Sequence, residues 1–396
     1  MEEKYIELLL KKCVNINENK SLFINYDIIN QNFIDKLVIM AKELGVKEIY
    51  LDKNDIYEEH NILKNITLSE IDNHPYFNRS IWNEYALKNS SFLMFRSPNP
   101  NLMNDIDSEK LARAEYIRRT TSHIFKKLQL KYQIPWCIAA LPNKLWAEDI
   151  FKNNPNSYEL LENAIYKACM VDTKNPIESW NEHLNKNKNM LKKLNSLKIK
   201  TLHYKNKLGT DLKVELSKDA IWCDASTNGL ANMPSYEIFT SPHYNKTNGI
   251  VYSSKPLIYN GGLIKDFWIM FENGKVVNFE AREGKDILKN IINSDDNSCY
   301  LGECALVENN SPISNTNITF GLTLFDENAS CHLAVGQGFT KCIKKKENIT
   351  NEELLEKGLN ISKVHVDFMI GTPDLEITAE THDGKKIKIL EKGNFK

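Results

Sequence analysis

The 396-residue chain is 42% hydrophobic and 26% charged, the usage of an ordinary globular protein, which sets aside disorder, collagen and coiled coil. Lys and Arg number 51 against 52 for Asp and Glu, so no net field recruits nucleic acid or an anionic membrane. The length exceeds what one hydrophobic core usually holds and points to two domains.

The start, MEEKYIELLLKKCV, lacks the basic and long apolar regions of a secretory leader, which predicts a cytoplasmic protein. No apolar run is long enough to span a membrane. Eight scattered cysteines without a C-x-x-C pair read as mostly buried thiols, not as a zinc knuckle or a disulfide framework. SLFINY (21–26), EIYL (48–51), SFLMF (91–95) and PWCIAA (135–140) read as strands, with helical spacing at 32–44 and at 107–130, where Asp107 is placed to cap. That alternation predicts an α/β N-terminal domain with a mostly parallel sheet, over 1–185. No glycine-rich phosphate loop follows any of these strands, so a nucleotide-like fold is expected without nucleotide binding.

A polar amphipathic helix at 175–197 marks the boundary. Beyond it, LKIKTLHY, TDLKVEL, the long stretch 249–283 and LEITAETHDGKKIKIL are β-rich. They are punctuated by the turn pairs Asn260-Gly261, Asn273-Gly274 and Asp383-Gly384, with one short helix at 286–292. The expectation is an α+β C-terminal domain, 186–396, with a curved, mostly antiparallel sheet or barrel.

The candidate chemistry lies there. Glu237 in NMPSYEIFTSPH, Glu303 in YLGECALVE, Glu327 and His332 in FDENASCH, and His365 and Asp367 in VHVDFMIG stand in or beside otherwise uncharged, strand-like segments. A carboxylate in such a setting is costly unless it is paired or holds a metal. His365-x-Asp367 is the most informative pair, because residues i and i+2 of a strand share a face. Two imidazoles and four carboxylates form a mixed donor set suited to a pair of hydrolytic cations, with one carboxylate bridging. His382-Asp383 reads as turn chemistry. His243, six residues after Glu237, is a candidate supporting or substrate-contacting residue.

These segments resemble the successive signatures of the thermophilic-type metalloaminopeptidases, the family of the aminopeptidases T and S. Successive separations of 66, 29 and 35 residues from Glu237 through Glu303 and His332 to Asp367 fit that pattern, the last slightly extended by the 344–351 loop. The resemblance covers most of the chain from about residue 130. It implies a two-domain, homodimeric cytoplasmic exopeptidase acting on peptides with a free N-terminus, its N-terminal domain structural and dimer-forming. It also implies two divalent ions per subunit (Co, Zn, Mn or Mg), with Glu237, Glu303, Glu327, His332, His365 and Asp367 as ligands. Glu303 would be both the bridge and the catalytic base. Two residues depart from the pattern: Tyr236 replaces the first of two acidic residues, and Phe339 stands where the family has a tyrosine thought to stabilise the tetrahedral intermediate. A replacement donor is sought in Tyr204 or Tyr244. Phe339 also raises the alternative of a weakened or redirected homologue that acts as a peptide-binding or assembly protein. A phosphoesterase attached to a nucleotide-binding domain is a third reading, disfavoured by the missing phosphate loop.

Overall fold

Short apolar runs flanked by helical stretches build the first layer. In the computed structural model, which describes residues 1–17, 20–259, 262–346 and 349–396, strands β1 (Leu22–Asp27), β2 (Ile49–Asn54), β3 (Ser91–Arg96) and β4 (Trp136–Ala140) lie parallel. Helix Gln31–Glu43 buries Phe33, Ile34, Leu37 and Ala41, the one-sided spacing expected of a helix packed on a sheet. Phe23, Trp82, Tyr85, Phe92 and Phe125 fill an aromatic core. Asp107 accepts from the Glu109 amide at 2.8 Å and opens helix Ser108–Thr121. The single helix expected over 107–130 is two, broken at Ser122, whose hydroxyl donates back to the Arg118 carbonyl at 2.7 Å; the second runs His123–Leu130.

Helix Pro176–Ser196 contains the point, after Trp180, where the first compact unit ends. The second unit comprises 181–224 and 236–396, and the first also takes 225–235. After β5 (Ile199–Lys205) and β6 (Asp211–Leu216), the chain therefore supplies β7 (Asn232–Met233) as a fifth parallel strand, giving the order β2-β1-β3-β4-β7.

The rest of the second unit is antiparallel. Its strands are β8 (Ile238–Thr240), β9 (Pro242–Tyr252), β10 (Leu257–Tyr259), β11 (Gly262–Glu272), β12 (Lys275–Glu283), β13 (Leu301–Leu306), β14 (His332–Gly336), β15 (His365–Met369), β16 (Glu376–Thr381), β17 (Lys386–Glu391) and β18 (Asn394–Phe395). A large open sheet runs β10-β11-β9-β6-β5-β16-β17-β18, with β12 also on β11. A smaller sheet runs β15-β14-β13-β8. Asn273 and Gly274, with φ of 48° and 83°, form the two-residue hairpin turn between β11 and β12. Asp383-Gly384 turns β16 into β17, and Asn260-Gly261 lies outside the described residues. One core joins the two sheets, with Leu202, Leu212, Val251 and Ile269 meeting Cys304, Leu333, Val335 and Phe368. Among the described residues no helix is long and apolar enough to cross a membrane.

Candidate metal centre

The small sheet sorts its side chains by strand alternation, since residues opposite one another share a face. Cys304, Leu333 and Phe368 align across β13, β14 and β15, as do Val335 and Val366, and all five enter the core. The other face carries two rows: Glu303, Ala334 and Asp367, then Phe239, Ala305 and His332. His365 faces Gly336, two places from Asp367 on the same side. Ala305, Ala334 and Gly336 are small, so the polar side chains converge above them without obstruction.

A bulge makes this possible. Leu301 pairs with Val335 and Glu303 with Ala334, so two steps on β13 match one on β14. In a regular strand Leu301 and Glu303 would share a face; the extra residue, Gly302, lets Leu301 enter the core while Glu303 faces the other way.

The polar groups form two triads that share Glu303: Glu237, Glu303 and His332, and Glu303, His365 and Asp367, each with donor atoms within 4.8 Å of one another. His332 Nε2 lies 3.1 Å from Glu237, and His365 Nε2 lies 3.0 Å from Glu303 and 3.2 Å from Asp367. Each imidazole donates Nδ1–H to a carbonyl, His332 to Ser330 at 3.0 Å and His365 to Gln337 at 2.7 Å. A carbonyl only accepts, so Nδ1 carries a proton and Nε2 is turned toward the carboxylates.

Glu327 lies in the last turn of the short helix Thr323–Asn328 beside this cluster, where Asp367, Glu237, His332 and Glu303 all act on its charge, although it belongs to neither triad. Asn328 connects the two ends of the site, accepting from the Tyr236 amide at 2.7 Å next to Glu237. Tyr236 itself packs edge-on against His183.

Burial governs the electrostatics. It pushes the Glu303 carboxyl up to about 7 against the pull of His365, and pushes Glu327 well above the usual range. Burial lowers both imidazoles, but Glu237 beside His332, and Asp367 with Glu303 beside His365, outweigh it and hold both well above an ordinary histidine. Asp367 is lowered because the histidines beside it overcome its burial. Glu303, His332 and Glu237 are 3%, 1% and 7% exposed. Four carboxylates with two imidazoles in so dry a place need a counter-charge. Asp367 Oδ1 is buried, and its 3.2 Å contact with His365 Nε2 lacks hydrogen-bond geometry. Together with two Nε2 atoms aimed at carboxylates, this is the donor chemistry of a divalent-cation site.

The other expected residues are placed elsewhere or differently. His243 stacks on Tyr244 and lies against Gly358; Lys246 and Glu215 are the charges that act on it. Tyr244 packs edge-on with Tyr300. Tyr204 does not serve as a replacement donor: it is fully buried in the core with its hydroxyl by Cys304, whose side chain points away from the ligand face. Phe339 does reach the site, its ring 4.9 Å from that of His365 and 5.2 Å from that of Phe239.

Sequence reasoning missed Asp326, which is buried and accepts from the Phe320 amide at 2.8 Å, fixing the loop that leads into Glu327's helix. Its carboxyl is pushed up to about 6 by burial, partly offset by Lys255. The available signal was an acid directly beside a candidate ligand. The carbonyls of Ser330 and Gln337 leave no signal, since any residue supplies one.

A parallel α/β unit followed by an antiparallel unit bearing a carboxylate and imidazole centre defines a candidate metal-dependent enzyme. The chain belongs to the thermophilic metalloprotease (M29) family, whose model matches residues 1–395. It is 34% identical to aminopeptidase 2 of Geobacillus stearothermophilus and 33% identical to aminopeptidase AmpS of Bacillus subtilis, in both cases over 99% of this chain and 97% of the relative. The solved structure of AmpT from Thermus thermophilus superposes with a TM-score of 0.91 at 27% identity, covering 100% of this chain and 98% of that one.

Proposed function

We propose that the chain is an aminopeptidase that removes the N-terminal residue of peptides with the help of two divalent cations. The observation that carries the two-ion reading is the presence of Glu303 in both triads. Relatives named as aminopeptidases along nearly the whole chain support the reaction. Glu237 and His332 would hold one ion, and His365 and Asp367 the other, with Glu303 common to both and Glu327 completing the shell. The mixed nitrogen and oxygen donors accept Co, Zn, Mn or Mg. When bound, such ions polarise the scissile carbonyl and make water acidic enough to attack near neutral pH.

The chain's own groups do the rest. A carboxylate oxygen of Glu303 takes the proton of the attacking water and passes it to the leaving amine. A carboxylate of the centre would accept a hydrogen bond from the substrate's free α-amine, which selects peptides with a free N-terminus. Nδ1 donation to Ser330 and Gln337 keeps both imidazoles oriented through the cycle. The ring of Phe339 covers His365 and offers no donor to a developing oxyanion.

The reading extends to a cytoplasmic homodimer, with residues 186–396 catalytic and 1–185 structural and dimer-forming. Those assignments rest on family likeness. The test is release of N-terminal residues from short peptides and their N-acetylated counterparts by metal-stripped protein, before and after adding each cation. Release only from free N-termini, only with metal, and lost in His365→Ala is expected. No release with about two ions bound per chain would hand the site to the peptide-binding alternative.

A further inference from the structure

A thiol pair lies beside the centre and takes no part in it. The segment 219–223 runs antiparallel to 342–344, with the Ile221 amide donating to the Cys342 carbonyl at 2.7 Å and the Lys344 amide to Asp219 at 2.8 Å. On its other side Cys223 exchanges both backbone hydrogen bonds with Phe239, at 2.8 and 2.9 Å. This brings the side chains of Cys223 and Cys342 together in a small cluster with Phe239, Ala305 and Phe339. Cys223 also donates to the Lys341 carbonyl at 3.4 Å.

The two sulfurs differ in access. Cys342 is fully buried, whereas Cys223 is partly exposed. The neighbouring Cys342 thiol and the Lys341 charge outweigh burial and lower the Cys223 pKa, while burial raises that of Cys342. That division of roles, an accessible thiol with thiolate character beside a second thiol, is the arrangement in which peroxide oxidation ends in a disulfide.

We propose that Cys223 and Cys342 form a peroxide-sensitive pair whose disulfide slows the enzyme by moving the turn that holds Phe339 against His365. The Cys223 thiolate attacks one peroxide oxygen; the O–O bond breaks, and the departing hydroxide takes a proton to become water. The Cys342 sulfur then attacks the sulfenic sulfur, the S–O bond breaks, and the Cys342 proton leaves with the hydroxyl as a second water. Two thiols are oxidised and one hydrogen peroxide is reduced to two waters.

The coupling to the centre is short. Cys342 donates its amide to the Phe339 carbonyl at 2.9 Å, Phe339 donates its amide to Ser241 Oγ at 2.9 Å, and its ring lies 4.9 Å from His365. Drawing Cys342 into a covalent bond pulls on this turn, and a displacement of about 1 Å at a catalytic group costs up to about a hundredfold in rate.

The chain carries its own control. Cys13 and Cys137 also meet thiol to thiol, but both are fully buried, so peroxide does not reach them in the folded protein. The experiment treats zinc-loaded enzyme with hydrogen peroxide, blocks free thiols and maps linked peptides by mass spectrometry, with peptide release measured in parallel. The expected result is a 223–342 linkage, no 13–137 linkage, and turnover reduced on the order of fivefold or more and restored by dithiothreitol. Cys342→Ser should stop at a sulfenic acid on Cys223, trapped by dimedone. Oxidation of Cys223 without the linkage overturns the proposal, as does a linkage that leaves turnover unchanged. The effect on turnover rests on the aminopeptidase reading, but the linkage is read by mass alone, so the two can fail separately.

Discussion

Replacing Gly302 by alanine tests the bulge that aims Glu303. A Cβ at this position would stand 2.4 Å from the carbonyl oxygens of both Gly336 and Gln337 and 2.5 Å from the Gln337 carbonyl carbon. All three neighbours are backbone, so no rotamer change relieves the contact, and β13 and β14 must separate by about 1 Å. Overpacking of this kind costs about 1–3 kcal/mol. The same movement strains the hydrogen bond from Gly336 to Tyr300, 2.8 Å, and the one from His365 to Gln337, 2.7 Å, which adds about 1 kcal/mol for each bond lost. The total is a destabilisation of about 2–4 kcal/mol, with kcat/KM lower on the order of a hundredfold because Glu303 and His365 move together. Gly384→Ala is the control. It has an open surround and a φ of 83°, so it pays only the left-handed backbone cost of about 1–2 kcal/mol, and activity stays unchanged. The assays are chemical unfolding of the metal-free protein and peptide release after metal is restored. A Gly302→Ala protein that matches the parent in both refutes the bulge argument.

Phe339→Tyr places a phenol beside His365 and should raise kcat by about ten- to a hundredfold with little change in KM, since one oxyanion donor is worth about that much or more; an unchanged or lower kcat would show that the ring does not face the reacting carbonyl. Lys126, in the first unit, gives a pH signature of its own. Burial lowers its pKa from 10.5 to about 8, with Glu115 pulling the other way and Arg96 and Arg119 adding to the lowering. The unfolded chain therefore holds more protons between those values, so this group's contribution to stability rises with pH across that window and is unfavourable at pH 7. Lys126→Met should stabilise the protein at pH 7 by up to about 3 kcal/mol, with the advantage fading as pH nears 10.5; unfolding curves at several pH values measure it, and an advantage that does not change with pH would reject the burial argument.

The residues that could be read from sequence are those whose geometry is local. His365 and Asp367 share a face because a strand has a period of two, and β1 to β4 stand out because each is an apolar run bounded by helical spacing. Features that depend on a distant partner could not be read. Gly302 is a bulge only because Val335 and Ala334 lie opposite, and β7 joins the first sheet only because β4 has a free edge. The helix that carries Glu327 has six residues and β8 has three, too few to show a period. Ser122 ends a helix through its own hydroxyl, a choice the surrounding helical spacing conceals. The failure of Tyr204 as a donor is a matter of facing: it lies on the large sheet, inside the core, by the side chain of Cys304 that alternation turns away from Glu303.

Glu303, shared by both triads, would serve two ions at once. The most direct measurement is the number of Zn²⁺ or Co²⁺ ions bound per chain, by equilibrium dialysis with elemental analysis, for the parent, Glu303→Gln, Glu237→Gln and Asp367→Asn. About two ions are expected for the parent. One weakened site is expected in each of the outer variants and both weakened together in Glu303→Gln. A parent that binds a single ion, or a Glu303→Gln protein that keeps both at the parent's affinity, would contradict that shared role.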